Sequence, residues 1–386
     1  MHPQSDTSSF RLSRRHLLGS AIALPWVGLP NAWADETSIK ICQSTALSGP
    51  LGDLGTALHD GAKAAFAVIN GRGGIHGRQI ELQTLDDAYE VPRALANVDK
   101  FLADRDCFAL FNCFGTPMVE AILPKLKDGK MPFFTPLTGG LLSRAANTRH
   151  VFNIRASYAD EAEKQVQHLA TIGIQKIGIA YQNNAFGREF FAGAKLAMER
   201  MRLPAPVSVT VENDASDVST AARKLADNHP EAVLLGLAGK PGLELIKSFR
   251  KLRRGVSLYA LSVLGTATNI KALGADATGI AISQVVPMAT NSAIPVTRDF
   301  LRAWKDLSTS SEPSHLALEG YINARVFAEA LQRAGKNPTR AAFIDATWDL
   351  KKFDLGGFEI NATVSGRNAS RFVELTVVGR DGQLLR

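Results

Sequence analysis

A chain of 386 residues, 45% apolar and 21% charged, is too long for a single hydrophobic core and suits two domains of common size. Its formal charge of +7 is a modest excess for that length, fitting solubility and some attraction to anions. Cysteine usage is thin: Cys42, Cys107 and Cys113 form an odd set that leaves at least one thiol unpaired.

Residues 1–34 read as an export signal. Ser13-Arg14-Arg15-His16-Leu17-Leu18 fits a twin-arginine pattern, the apolar run LLGSAIALPWVGL follows, and Ala32-Trp33-Ala34 supplies a cleavage site after Ala34. The alternative is an ordinary secretory signal with two arginines by chance. Pro25 and Gly28 break the run, and no later stretch approaches the roughly 20 apolar residues of a membrane span. An exported chain is a poor candidate for nucleic-acid binding.

The next stretch, 39–87, reads as strand, helix, glycine turn and strand. Ile39 and Ile41 alternate with polar neighbours, while Leu58, Ala62, Ala65, Phe66 and Ile69 mark one helix face. NGRGGIHG (70–77) stops the helix, Ile80 and Leu82 alternate again, and Asp86-Asp87 close the unit. This is the βαβ element of a parallel sheet. The spacing then predicts a helix over 92–104 with Leu95, Val98 and Leu102 inward, and an apolar strand over 107–111. Thr116 stands in the N-cap place of the following helix with Pro117 behind it, and Pro124 should kink that helix.

PFFTP (132–136) reads as a strand, and LTGG is the turn after it. The alternation then restarts, with strands at 151–154, 176–181, 206–211, 232–237 and 257–262 and helices between them. After a strand at 279–286, helices at 294–307, 315–334 and 338–348 follow without strands between, and RFVELTVV is the last strand. The fold class is α/β, with two doubly wound parallel-sheet lobes.

The combination of SGPLGDLG, GAKAAFAVIN, GGIHGRQIEL and DD resembles the start of leucine/isoleucine/valine-type solute-binding proteins. These are type I periplasmic binding proteins that deliver ligand to ABC importers. The resemblance continues through FGTPMVEAILP, PFFTPLTGG, VFNIRASYADE, AYQNNAFG, LEGYINARVFAEAL and FDLGGFEI, and so covers nearly all of the chain after residue 38. It implies a three-strand hinge crossed near Arg155, Val286 and Arg371. Lobe one would comprise 35–154 and 287–370, and lobe two 155–286 and 371–386. It also implies a small-molecule ligand, an ABC permease in the inner membrane as partner, a monomer and no cofactor.

Some relatives bridge the loop after the second strand to the glycine–threonine loop with a disulfide. Tyr89 and Gly115 hold those places here, so that bridge is absent. A Cys107–Cys113 bridge would need a turn that the apolar run between them does not offer. The expectation is three mostly buried thiols.

Catalytic signatures are missing. There is no G-x-S-x-G, H-E-x-x-H or G-x-x-x-x-G-K-[ST], and His59, His76, His150, His168, His229 and His315 lie far apart without ligand spacing. A binding protein is expected instead of an enzyme. In open α/β sheets ligands lie beyond the carboxyl ends of the strands. The loop holding Phe114 and Thr116, and the loop holding Thr138 and Gly139, offer hydroxyls and backbone N–H groups suited to a carboxylate. The resemblance places both loops against the ligand, with Ser48 to Leu54 as part of the same wall. Ser157, Tyr158, Tyr181 and Phe186 would face the cleft from lobe two.

Amino-acid binders of this family hold the ammonium with an acid on the loop after the SLYALS-type strand. Here that loop, Ser262–Thr266, has none; Lys240 stands on the preceding loop and Asp160 is a possible substitute. An organic or aromatic acid, or an amide, therefore competes with an amino acid as ligand. Transport is the expected role, and ligand sensing for a receptor or regulator is the alternative.

Overall fold

The computed structural model describes residues 37–145, 148–307, 312–362 and 368–386, so the export signal read over 1–34 lies outside it. β1 (Ser38–Thr45) pairs in parallel with β2 (Gln79–Asp86), setting Ile39 beside Ile80 and Ile41 beside Leu82. α1 (Gly52–Gly71) crosses between them and buries Leu58, Ala62, Ala65 and Phe66. α2 (Val91–Ala103) leads to β3 (Cys107–Phe111), α3 (Thr116–Ile122), β4 (Phe133–Phe134) and β5 (Val151–Phe152). The first sheet has the order β2-β1-β3-β4-β5 and is parallel throughout.

Three local expectations are corrected. α2 buries Ala94, Asn97, Val98 and Phe101 and leaves Leu102 exposed. The stripe turns by one residue because burying the phenyl ring removes more apolar surface from water than burying Leu102 would. Next, Gly115, and not Thr116, is the N-cap of α3. Its φ of 104° lies in the left-handed region open to glycine, and Thr116 is already helical and caps nothing. Pro124 falls in a 3-10 turn, Leu123–Leu126, where α3 has already ended.

A further correction concerns the cysteines. Cys42 on β1 and Cys107 on β3 form a disulfide between adjacent strands, with Cα atoms 6.1 Å apart. Only Cys113 is a free thiol among the described residues, and burial pushes it up to about 12. A separation of 65 positions gave no hint of this pairing; the parallel register of β1 and β3 creates it.

α4 (Tyr158–Thr171), β6 (Ile177–Gln182), α5 (Ala185–Arg200), β7 (Val207–Val211), α6 (Val218–Asp227), β8 (Ala232–Gly236), α7 (Gly239–Leu252), β9 (Ser257–Ala260), α8 (Ala267–Leu273) and β10 (Ala281–Gln284) build the second lobe. α9 (Pro295–Asp306), α10 (His315–Ala334) and α11 (Arg340–Trp348) then return to the first core. There Phe300, Tyr321, Phe327 and Phe343 share one apolar cluster with Phe66, Phe111 and Phe134. A short hairpin, β11 (Phe353–Asp354) with β12 (Glu359–Ile360), precedes β13 (Glu374–Val378) and β14 (Leu384–Leu385). The second sheet has the order β14-β13-β10-β9-β8-β6-β7; its last two strands add in antiparallel fashion and the rest is parallel. In both sheets the parallel strands end in loops that lead into helices, and loops of this kind are where the two lobes meet.

Candidate ligand-binding site

The loops after β1, β3 and β4 of the first lobe face α4, α5 and the loops after β8 and β9 of the second. Leu51 lies against Gly239, the Thr266 hydroxyl is 3.3 Å from the Asp53 carboxylate, and the Leu141 amide donates to Glu189 at 2.9 Å. Between these contacts lies a small polar patch. Thr116 Oγ1 and Thr138 Oγ1 are 2.8 Å apart, and the Tyr158 hydroxyl stands 3.4 Å from Thr116 Oγ1. All three side chains are buried. Leu51, Leu54, Phe114, Leu137, Phe186, Ala238 and Val263, drawn from both lobes, form one apolar cluster with Tyr158. A few convergent polar groups in an apolar lining are the usual composition of a small-molecule site.

The patch is held from below. Asn112 and Thr135 directly follow β3 and β4 with φ angles of 49° and 50°, which is a sterically costly conformation for a β-branched threonine. Asn112 Oδ1 accepts from Thr135 Oγ1 at 2.6 Å and from Asn323 Nδ2 at 2.9 Å, and Gln43 Nε2 donates to the Asn112 carbonyl at 3.2 Å. These bonds fix the turn from which the Thr116 and Thr138 loops depart. Gly139 completes the fit: a Cβ there would lie 2.4 Å from Cδ1 of Tyr158, whose amide donates to the Gly139 carbonyl at 2.8 Å.

The paired acids have a role that spacing did not suggest. Asp86 accepts from the amides of Leu47, Ser48 and Ala88 and, at 2.5 Å, from the Ser48 hydroxyl. Burial would raise its carboxyl, but these bonds outweigh that and hold it at about 2. Asp87, buried, accepts from Ser44 Oγ at 2.7 Å and from the Tyr89 amide. Together they shape the first loop. The Tyr89 ring occupies the space over Gly115, where a Cβ would be 2.6 Å from it, and packs on Phe114.

The expected residues thus divide. Leu54, Phe114, Thr116, Thr138, Gly139, Tyr158 and Phe186 come together. Ser48 is exposed and bonded to Asp86; Ser157 caps α4 by exchanging hydrogen bonds with Asp160. Tyr181 stacks on Phe191 with centroids 4.6 Å apart, and Lys240 is exposed, donating to the Asp214 carbonyl at 3.0 Å and lying 3.8 Å from Glu244. Leu51 and Asp53 fall within the wall read over Ser48–Leu54, whereas Glu189 and Gly239 were missed because nothing in their local sequence marks a contact made only between lobes.

The Ser262–Thr266 loop has no acid of its own, but one reaches it from another element. Glu161 reaches the Ser262–Thr266 loop from α4, accepting from the Ser262 amide and hydroxyl at 2.9 and 3.1 Å and from Ser283 Oγ at 2.6 Å. Arg155 lies between it and Glu319, 3.4 Å from the first and 3.6 Å from the second, and donates to Ser262 Oγ at 2.6 Å. Burial raises both carboxyls, and the guanidinium pulls the other way. Asp160 is occupied by Arg371, Asn368 and Ser157. Among the described residues no group of three or more potential metal ligands occurs.

The family model for "Periplasmic binding protein" matches residues 38–383. A Brucella melitensis protein named Leu/Ile/Val-binding protein homolog 3 is 23% identical over 341 residues, covering 88% of this chain and 90% of that one. A substrate-binding periplasmic protein from Ralstonia solanacearum superposes with a TM-score of 0.82 at 30% identity over 90% of this chain and 99% of its own. A possible leucine/isoleucine/valine-binding protein from Rhodopirellula baltica gives 0.84 at 29% identity over 91% and 97%. Proteins of this kind bind a small molecule for an ABC transporter permease and are not an enzyme family, and no helix among the described residues is long and apolar enough to cross a membrane. With the two-lobed α/β fold and a site built where its lobes meet, this chain belongs to the periplasmic binding protein family, in its leucine/isoleucine/valine type.

Proposed function

We propose that this protein is exported, binds a small carboxylate-bearing solute with an apolar body between its lobes, and presents the closed form to an inner-membrane permease. The solute is a branched-chain amino acid or a related organic acid. The lobes are taken as 35–154 with 287–370, and 155–286 with 371–386, and the protein works as a monomer. The observation that carries the reading is the Thr116–Thr138–Tyr158 patch, in which hydroxyls from both lobes converge inside an apolar lining. A carboxylate can accept from such hydroxyls, and an alkyl or aryl group fits the remaining wall. Ligand held first by the Thr116 and Thr138 loops would be covered by Tyr158 and Phe186 as the hinge closes.

Thermal unfolding of protein stripped of resident ligand tests this against leucine, 4-methylpentanoate, benzoate and leucinamide. At 1 mM, an acid bound with a Kd of about 1 μM adds roughly 4 kcal/mol. Response to leucine but not to 4-methylpentanoate would identify an ammonium anchor. Response to both, lost in the Thr116→Val, Thr138→Val double variant, is the expected result for carboxylate recognition. A response to leucinamide but to none of the acids would overturn the reading.

A further inference from the structure

Arg144 belongs to no ligand contact described above, yet every donor it has is used. Its side chain is buried, at the end of a short 3-10 turn, Leu141–Arg144, that follows the Thr138–Gly140 loop. A guanidinium carries five N–H donors in a rigid fork. Here Nη1 donates to the Gly140 carbonyl at 2.6 Å and to Ser143 Oγ at 3.0 Å, and Nη2 donates to the carbonyls of Thr138 and Arg155, each at 3.1 Å. Nε donates to Asn368 Oδ1. All five acceptors are neutral. An arginine buried only to neutralise an acid would sit against a carboxylate; this one grips backbone from separate segments.

Those segments are the informative part. Thr138 and Gly140 bracket the loop that supplies a hydroxyl to the polar patch, and Arg155 and Asn368 lie at two of the places where the chain passes between lobes. The two passages are themselves paired. Asn153 and Asn368 bridge in parallel, and the amides of Ala369 and Ser370 donate to the carbonyls of Asn153 and Ile154. From Asn368 the chain of bonds continues: its Nδ2 donates to Asp160 Oδ2 at 2.8 Å, Asp160 completes the capping box of α4 with Ser157, and Arg371 clamps Asp160 through two nitrogens. α4 begins with Tyr158, the residue that lobe two contributes to the patch.

We infer that Arg144 is a positioning residue that couples the Thr138–Gly140 ligand loop to the hinge, through Asn368 and Asp160, and so to the seating of Tyr158. The inference rests on the proposed ligand site and goes beyond it by assigning how occupancy on one lobe is felt by the other. A coupling of this kind is tested by perturbing one end of the network and reading the other.

Hydrogen exchange on the ligand-free full chain provides one, with Arg144→Lys, Asn368→Ala and the double variant. Lysine offers three donors, so at least two of the five acceptors lose their partner. Amides at 138–141, 153–157 and 368–371 should all exchange about tenfold faster in R144K, with β1 and β6 unchanged. Asn368→Ala, which does not touch the ligand loop, should also loosen 138–141, and the double variant should be little faster than R144K. Unchanged exchange at 138–141 in N368A, or effects that simply add, would overturn the inference. Should R144K fail to fold, N368A decides alone.

Affinity for leucine and 4-methylpentanoate and the scattering radius with each at 5 mM supply the second readout. If the wild type binds either probe, about a tenfold loss of affinity and a weaker compaction are expected in N368A; unchanged affinity and compaction would refute the coupling while leaving the site reading intact. If the wild type binds neither, the leucine-type site reading is what fails, and the exchange data still decide whether loop and hinge move together.

Discussion

Replacing Gly139 with alanine should damage the site while leaving both lobes folded. The new Cβ would stand 2.4 Å from Cδ1 of Tyr158 and 2.7 Å from Cε1 and Cγ, whereas non-bonded carbons rest at about 3.5–4.0 Å. The ring must therefore retreat by about 1 Å, and its surroundings resist. Phe186 packs edge-on at 5.1 Å, the Arg155 guanidinium lies 5.9 Å over the ring, and the Tyr158 amide is tied to the Gly139 carbonyl. Overpacking of this kind costs about 1–3 kcal/mol. The same movement takes the hydroxyl, already 3.4 Å from Thr116 Oγ1, out of hydrogen-bonding range.

Urea unfolding followed by tryptophan fluorescence gives the stability loss, and titration with whichever acid stabilises the wild type gives the affinity loss. Gly71→Ala is the control. It ends α1 with nothing within 4 Å of its added Cβ and should be neutral or stabilising by about 0.5–1 kcal/mol. A G139A protein as stable as the wild type, binding the same acid equally well, would refute the packing argument.

Three further outcomes are expected. Asp86 has a depressed folded pKa, so its stabilisation is complete above the ordinary carboxyl range near 4 and is lost as pH falls toward about 2; Asp86→Asn should lower the urea midpoint at pH 7 and flatten its decline over that window. Unfolding without reductant should expose one titratable thiol, Cys113, and three after reduction, and breaking the Cys42–Cys107 bridge should lower stability by about 4 kcal/mol on the chain-entropy estimate for a separation of 65. Asp53→Ala with Glu189→Ala should remove two contacts between the lobes and enlarge the ligand-free scattering radius; an unchanged radius would show that these contacts do not hold the lobes together.

Much of the fold was legible because its signals are local. The 39–87 unit declared itself through a change of apolar period, from 2 along β1 and β2 to 3.6 along α1, with a glycine run between. The three helices that follow β10 without strands were visible for the same reason. Errors arose where two local solutions differ by little. Leu102 and Phe101 are adjacent and both apolar, so only packing against β3 and its neighbours chose the phenylalanine. Thr116-Pro117 fits a cap by composition, yet Gly115 alone tolerates the φ of 104° at which the chain turns.

The sequence by itself determined the alternation of strands and helices, the two-lobed class, and the loops from which Thr116, Thr138 and Tyr158 project. Those follow from side-chain periodicity and turn chemistry, which act within a few residues. What the tertiary structure decided is the set of distant pairings: Cys42 with Cys107, Asp86 with the Ser48 loop, Glu161 beneath Ser262, and Arg144 joining Thr138, Gly140, Arg155 and Asn368. Each brings together groups that are far apart along the chain or sit in different elements. A buried donor or acceptor must find a partner wherever the packed lobes place one, and no local rule of sequence reports that position.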